Sequence, residues 1–153
     1  MTTGVTLAES KTKTKTIYFA GSLFNSKDLI GNKYLAHAIE TVSDGRYKCV
    51  LPQDLQQMAE NTKVIRDNDL INVRDTDGIL VNFDGTELDS GTVVEFIAAK
   101  FLKKPAVIYR TDFRSAGENI TSDPWNLMLS HYPQTQVVNI TDLMSLYQNL
   151  ETQ

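Results

Sequence analysis

The run Gly78-Ile79-Leu80-Val81-Asn82-Phe83 most restricts the folds open to this chain, because successive apolar side chains in a strand point to opposite faces of its sheet. A strand of that kind needs cover on both sides, as in a parallel sheet held between two helix layers. Pro105 to Tyr109 repeats the pattern, and the stretches between such runs carry helical spacing. Thr16 to Ala20 reads as a first strand ending in a Gly21-Ser22 turn. Lys27 to Val42 reads as a helix stopped by Asp44-Gly45, and Tyr47 to Leu51 as a second strand closed by Pro52. Asp54 to Asp75 suits one broken helix or two shorter ones, with the break near Asn61, and Ser90 to Leu102 is the third helix. After a long polar connection, Thr111 to Pro124, come a short apolar helical turn (Trp125 to Tyr132), a last strand (Gln136 to Ile140) and a closing helix (Thr141 to Leu150) capped by Thr141. Strand alternating with helix five times predicts an α/β three-layer sandwich around a five-stranded parallel sheet, flavodoxin-like in strand order.

With 153 residues the chain fits one domain, expected over residues 15–153, behind a Thr- and Lys-rich tail over residues 1–14 that is expected to be flexible. A net charge of -4 gives no electrostatic reason to expect nucleic acid or an anionic membrane as partner, which leaves small molecules. Neither the start of the chain nor any later run has the apolar length of a signal peptide or a membrane span. Cys49 is the one cysteine and cannot form an internal disulfide, so a buried thiol in a reducing, cytoplasmic setting is expected.

Chemistry points to Asp84 through Glu95, where a strand gives way to a helix amid several carboxylates. In an open parallel sheet, the carboxyl ends of the strands form the ligand crevice. Gly91, one turn before Glu95, is expected to let this helix approach the sheet, and the helix start is expected to keep Glu95 ionised as a nucleophile. Each acid also has a plain structural explanation: Glu95 as a solvated first-turn residue, Asp89 as a helix cap, Asp69 on a wet helix face. Together they form a set in which crowding raises carboxyl pKa values and equips one of them as a general acid. Tyr18, in the first strand, has a core-like neighbourhood, yet a buried phenol needs a partner, and a carboxylate from the adjacent third strand-helix unit is one. Gly21-Ser22 is not a dinucleotide fingerprint, the Walker pattern is absent, and His37 and His131 lack metal-ligand spacing, so no cofactor or metal is expected.

In order along the chain, Ile17 to Gly21, Asn68-Asp69-Leu70, Asp84 to Glu95, Tyr109 to Arg114 and Asn126-Leu127-Met128 resemble the nucleoside 2-deoxyribosyltransferases. The resemblance implies that Glu95 attacks the anomeric carbon of a 2′-deoxynucleoside, expels the base and holds the sugar covalently until a second base arrives. It implies that Tyr18 orients Glu95 and that Asp89 and Asp69 contact the base and manage its proton. It also implies that Gly21, Phe24 and Gln56 bind substrate, and that Asn126 and Met128 reach into a neighbouring subunit's pocket. The expected assembly is therefore a homo-oligomer, tetramer or hexamer, with shared sites. The chain departs from the family pattern in lacking a glycine after Glu95 and in the Asp84-to-Leu88 stretch before Asp89.

Two other functions fit a chain of this kind. One is hydrolysis of 2′-deoxynucleoside 5′-monophosphates, with water as acceptor and Ser22 available to a phosphate. The other is a non-catalytic nucleoside sensor that keeps the pocket without needing Glu95.

Overall fold

A computed structural model describes residues 13–55, 61–85, 87–112 and 125–138. The tail over residues 1–12, Gln56, most of the connection before Trp125, the end of the last strand and the closing helix lie outside them. The elements are β1 (Lys15–Ala20), α1 (Ser26–Val42), β2 (Tyr47–Val50), α2 (Thr62–Asp75), β3 (Gly78–Asn82), α3 (Ser90–Phe101), β4 (Ala106–Tyr109), α4 (Leu127–Ser130) and β5 (Thr135–Val138). A single 3₁₀ turn, Pro52–Asp54, follows β2. At Asn61, where the break is expected, α2 begins, and Asn61 caps it by accepting the Lys63 N–H; residues 56–60 lie outside the described ones.

All five strands are parallel, in the order β2-β1-β3-β4-β5. This is the flavodoxin-like order, in which chain direction across the sheet reverses between β1 and β3. Alternation along the strands divides the core. Tyr18, Ile79, Val81 and Ile108 pack with Val73 of α2 and with Phe96 and Ala99 of α3. Phe19, Leu80 and Tyr109 face the other way, toward Leu35 of α1 and Leu51. The expectation drawn from the apolar β3 run holds for this reason: Gly78, Ile79, Leu80 and Val81 are all buried, in two separate layers.

Cys49 is half-buried, and burial together with nearby Glu40 pushes its thiol up to about 12. The carboxyl end of α3 is tied down by Lys100, whose buried ammonium donates to the carbonyls of Lys104 (3.2 Å), Pro133 (3.0 Å) and Gln134 (2.7 Å). The same cation sits 5.7 Å from the Phe96 ring and 5.8 Å from that of Tyr132, and those two rings meet edge to face.

Where β1 ends, Gly21 passes so close to β3 that a β-carbon on it would lie 2.8 Å from Cβ of Asn82. Bare backbone is required for the two strand exits to stay together. Gly21→Ala is accordingly expected to cost about 1–3 kcal/mol of stability, read from urea unfolding midpoints.

Candidate active site

Four of the acids and phenols singled out in the sequence converge on one place. Tyr18 projects from β1 and is fully buried, and its hydroxyl donates to Oε1 of Glu95 at 2.8 Å. Asp69, midway along α2, acts on the same hydroxyl as a charge and as a hydrogen-bond partner. Asp89 caps α3, accepting from the Thr92 N–H (2.8 Å) and hydroxyl (3.1 Å). Burial, then Glu95, then Asp69 drive the Tyr18 pKa far above that of a free phenol, so the group remains a proton donor.

The charge state of Glu95 departs from the sequence expectation. Helix α3 begins at Ser90, which places Glu95 in the second turn rather than the first, beyond the short reach of the helix-end field. Burial dominates instead and lifts its carboxyl to about 7; the Tyr18 hydrogen bond pulls the value down, while the charges of Asp69 and Asp89 push it up. At neutral pH the ionised and protonated forms coexist. The role expected of Gly91 also differs, since this residue is exposed and a β-carbon there would meet the Asp89 carboxylate at 3.1 Å rather than the sheet.

A cleft of about 1050 Å³ opens at the carboxyl ends of β1 and β3, and of these four groups Asp89 lines it. One wall carries Ser22, Phe24 and Asp28, the other Asp84, Glu87 and Asp89. Phe24 is 78% exposed. Ser22 is already engaged, its hydroxyl donating to Asp28 at 2.6 Å, while Asp28 also accepts from the Asn25 amide at 2.7 Å. Asp84 is likewise engaged: one oxygen accepts the backbone N–H groups of Thr111 (2.6 Å) and Asp112 (3.1 Å), and the other accepts the Thr111 hydroxyl. Of the acids that drew attention to this segment, Asp84 therefore joins two strand exits. Asn126 caps α4 through the Met128 N–H (3.0 Å), and the Met128 side chain is 79% exposed. Neither bonds to the Tyr18–Glu95 pair in the single chain, and Gln56 lies outside the described residues.

Sequence reasoning missed Arg110, Asp112 and Asp28 as parts of this architecture. Arg110 and Asp112 pair with each other two residues apart, but the Asp84 and Gly85 groups they engage lie 25 to 28 residues away, so no local spacing marks that role. For Asp28, the serine six residues earlier was a usable signal.

The raised carboxyl of Glu95 links the site to stability. Because its folded value lies above the ordinary 4.5, its stabilising contribution is complete below about pH 4.5 and is lost as pH rises through about 7. Glu95→Gln, which cannot ionise, should match the parent near pH 4. It should exceed the parent by roughly 3–3.5 kcal/mol above pH 8, at about 1.4 kcal/mol for each unit between folded and unfolded values. Denaturant titrations at several pH values measure that gap.

Among curated proteins, none matches the chain by sequence. Solved structures do. A conserved protein from Enterococcus faecalis V583 superposes with a TM-score of 0.70 at 27% identity, over 90% of this chain and 99% of its own. The 2-desoxiribosyltransferase from Leishmania mexicana follows at 0.64 and 24%, covering 89% and 96%. A CMP N-glycosidase from Clostridium botulinum shares the fold at 0.58 and 13%, covering 90% and 98%. The family model for nucleoside 2-deoxyribosyltransferase matches residues 17–129, from β1 through α4, and so takes in Tyr18, Asp69, Asp89 and Glu95. The chain belongs to the nucleoside 2-deoxyribosyltransferase family of enzymes.

Proposed function

We propose that this enzyme moves 2-deoxyribose from a 2′-deoxynucleoside to an acceptor nucleobase by double displacement, through a deoxyribosyl ester on Glu95. The observation that carries this reading is the 2.8 Å bond from Tyr18 to Glu95. A half-desolvated carboxylate with one oxygen held by a phenol has its other oxygen available to an electron-poor carbon. In the first step an oxygen of ionised Glu95 bonds to C1′, the bond from C1′ to the base nitrogen breaks, and its electron pair leaves with the base. A proton delivered to the base improves that leaving group, and Asp69 and Asp89 are the acids beside the nucleophile. In the second step a nitrogen of the incoming base attacks C1′, the ester bond breaks, Glu95 regains its charge, and the acceptor's proton returns to the acids. Two inversions give net retention. The missing 2′-hydroxyl eases both steps, because no electron-withdrawing oxygen adjoins the cationic carbon.

Substrate contacts fall to Gly21, Phe24 and Gln56. Asn126 and Met128 serve the site of a neighbouring copy in a tetramer or hexamer with composite pockets. The exposure of the apolar Met128 side chain fits such a role, and a pocket closed by a second subunit keeps water from the ester.

Hydrolysis of 5′-monophosphates finds less support. Its phosphate would enter a cleft where Ser22 is spent on Asp28 and where Asp28, Asp84, Glu87 and Asp89 face it against Lys27. Like charge at such distances in a partly desolvated cleft opposes a dianion. A nucleoside without phosphate meets no such penalty.

Incubation of one deoxynucleoside with a second free base should yield the new deoxynucleoside, and a slow fluorinated donor should leave a sugar adduct on Glu95 visible by mass spectrometry. Glu95→Ala should fold and lose both. Free base and free sugar as the sole products would overturn transfer, turnover by Glu95→Ala would overturn the nucleophile, and a parent protein that binds deoxynucleosides without turning them over would favour a sensor.

The same carboxyl dictates a pH profile. Attack requires the ionised form, so kcat/KM for the donor should rise through a midpoint near 7. Tyr18→Phe removes the hydrogen bond that lowers this value, so the midpoint should move upward and kcat fall by about tenfold or more. An unmoved midpoint would separate Tyr18 from the reaction.

A further inference from the structure

The segment leading to Asp89 is held by side chains from the neighbouring strand. Arg110, just beyond β4, is a buried arginine with only 4% of its surface exposed. Its Nε donates to Oδ1 of Asp112 and its Nη2 to the carbonyl of Gly85 at 2.9 Å. The other oxygen of Asp112 accepts the Gly85 N–H at 2.7 Å. Both backbone polar groups of Gly85 are thus taken by one ion pair, at a φ of +114° that side-chain-bearing residues rarely adopt. Asp84, one residue earlier, is fixed to Thr111 and Asp112 from the same strand exit. Only three residues separate Gly85 from Asp89, and Glu95 lies six positions beyond Asp89. A planar fork suits this task, since a guanidinium bridges a carboxylate and a carbonyl in fixed geometry where an ammonium cannot.

We propose that Arg110 is a positioning residue for transfer: by clasping Gly85 it holds Asp89 on the base side of the reacting carbon without touching substrate itself. This rests on the reading that Asp89 serves the departing base. The clasp does not include Tyr18 or Glu95, which meet through β1 and α3. Loss of Arg110 should therefore weaken proton delivery to the base and leave the nucleophile intact.

The test compares two donors on Arg110→Lys and Arg110→Met, with folding checked by circular dichroism. One donor is a natural 2′-deoxynucleoside, whose base leaves only with a proton. The other is a 2-deoxyriboside of p-nitrophenol, whose anion leaves unaided. Both variants should lose about tenfold or more in kcat/KM with the nucleoside and less than about threefold with the nitrophenyl donor, the difference expected of impaired acid catalysis. The midpoint near pH 7 should stay in place. Equal losses on both donors, no loss on either, or a moved midpoint would overturn the assignment. If Arg110→Met does not fold, Arg110→Lys carries the same comparison, because it keeps the charge and removes the fork. A parent enzyme inert toward both donors would instead refute the reading of the site on which this one stands.

Discussion

A phenol and a carboxylate 77 residues apart are joined by one hydrogen bond beneath the strand ends, and most of what distinguishes this molecule depends on that contact. The 2-1-3-4-5 sheet makes it possible, because β1 and β3 lie side by side where strand order reverses and lead to helices on opposite faces, which leaves a crevice above their ends. Tyr18 projects from β1 as part of the core, and Glu95 meets it from α3, whose cap Asp89 lines the crevice. Burial and the acidic company of Asp69 and Asp89 push the carboxyl one way, and the Tyr18 hydrogen bond pulls it the other. Desolvation keeps it reactive but partly protonated, and the phenol restores some of its charge.

Much of the architecture was legible in the chain because it rests on local pattern. The apolar β3 and β4 runs announced a sheet covered on both faces, and helix ends fell within a residue or two of their capping signals at Asn61 and Asp89. The pairing of Tyr18 with a carboxylate was legible too, since a phenol surrounded by core residues has to find an acceptor. What stayed hidden depends on depth and on distance along the chain. Glu95 was placed on the right helix but assigned the wrong electrostatics, because the sequence marks where a helix starts more clearly than how far a residue lies from solvent. Asp84 looked like one more site acid, while its oxygens are consumed by Thr111 and Asp112, contacts that no spacing encodes.

Acidity in the cleft bears on selectivity as well as reactivity. A wall of carboxylates beside a site that expels a base favours a leaving group that gains positive character and disfavours a substrate that brings negative charge. Ser22 illustrates how context overrides residue type. A serine in a glycine turn is an ordinary phosphate ligand, yet here its proton is committed to Asp28. The hydroxyl thereby stiffens the loop that bears Phe24.

Helix α3 resembles a beam fixed at both supports: the Asp89 cap and the neighbouring clasp secure one end, and the Lys100 ammonium bolts the other to the carbonyls before β5. Evolution of new substrate preferences has little room to slide the Glu95 carboxylate. It can instead remodel the rim, on the Phe24 and Glu87 sides, while that carboxylate keeps its place beside Tyr18.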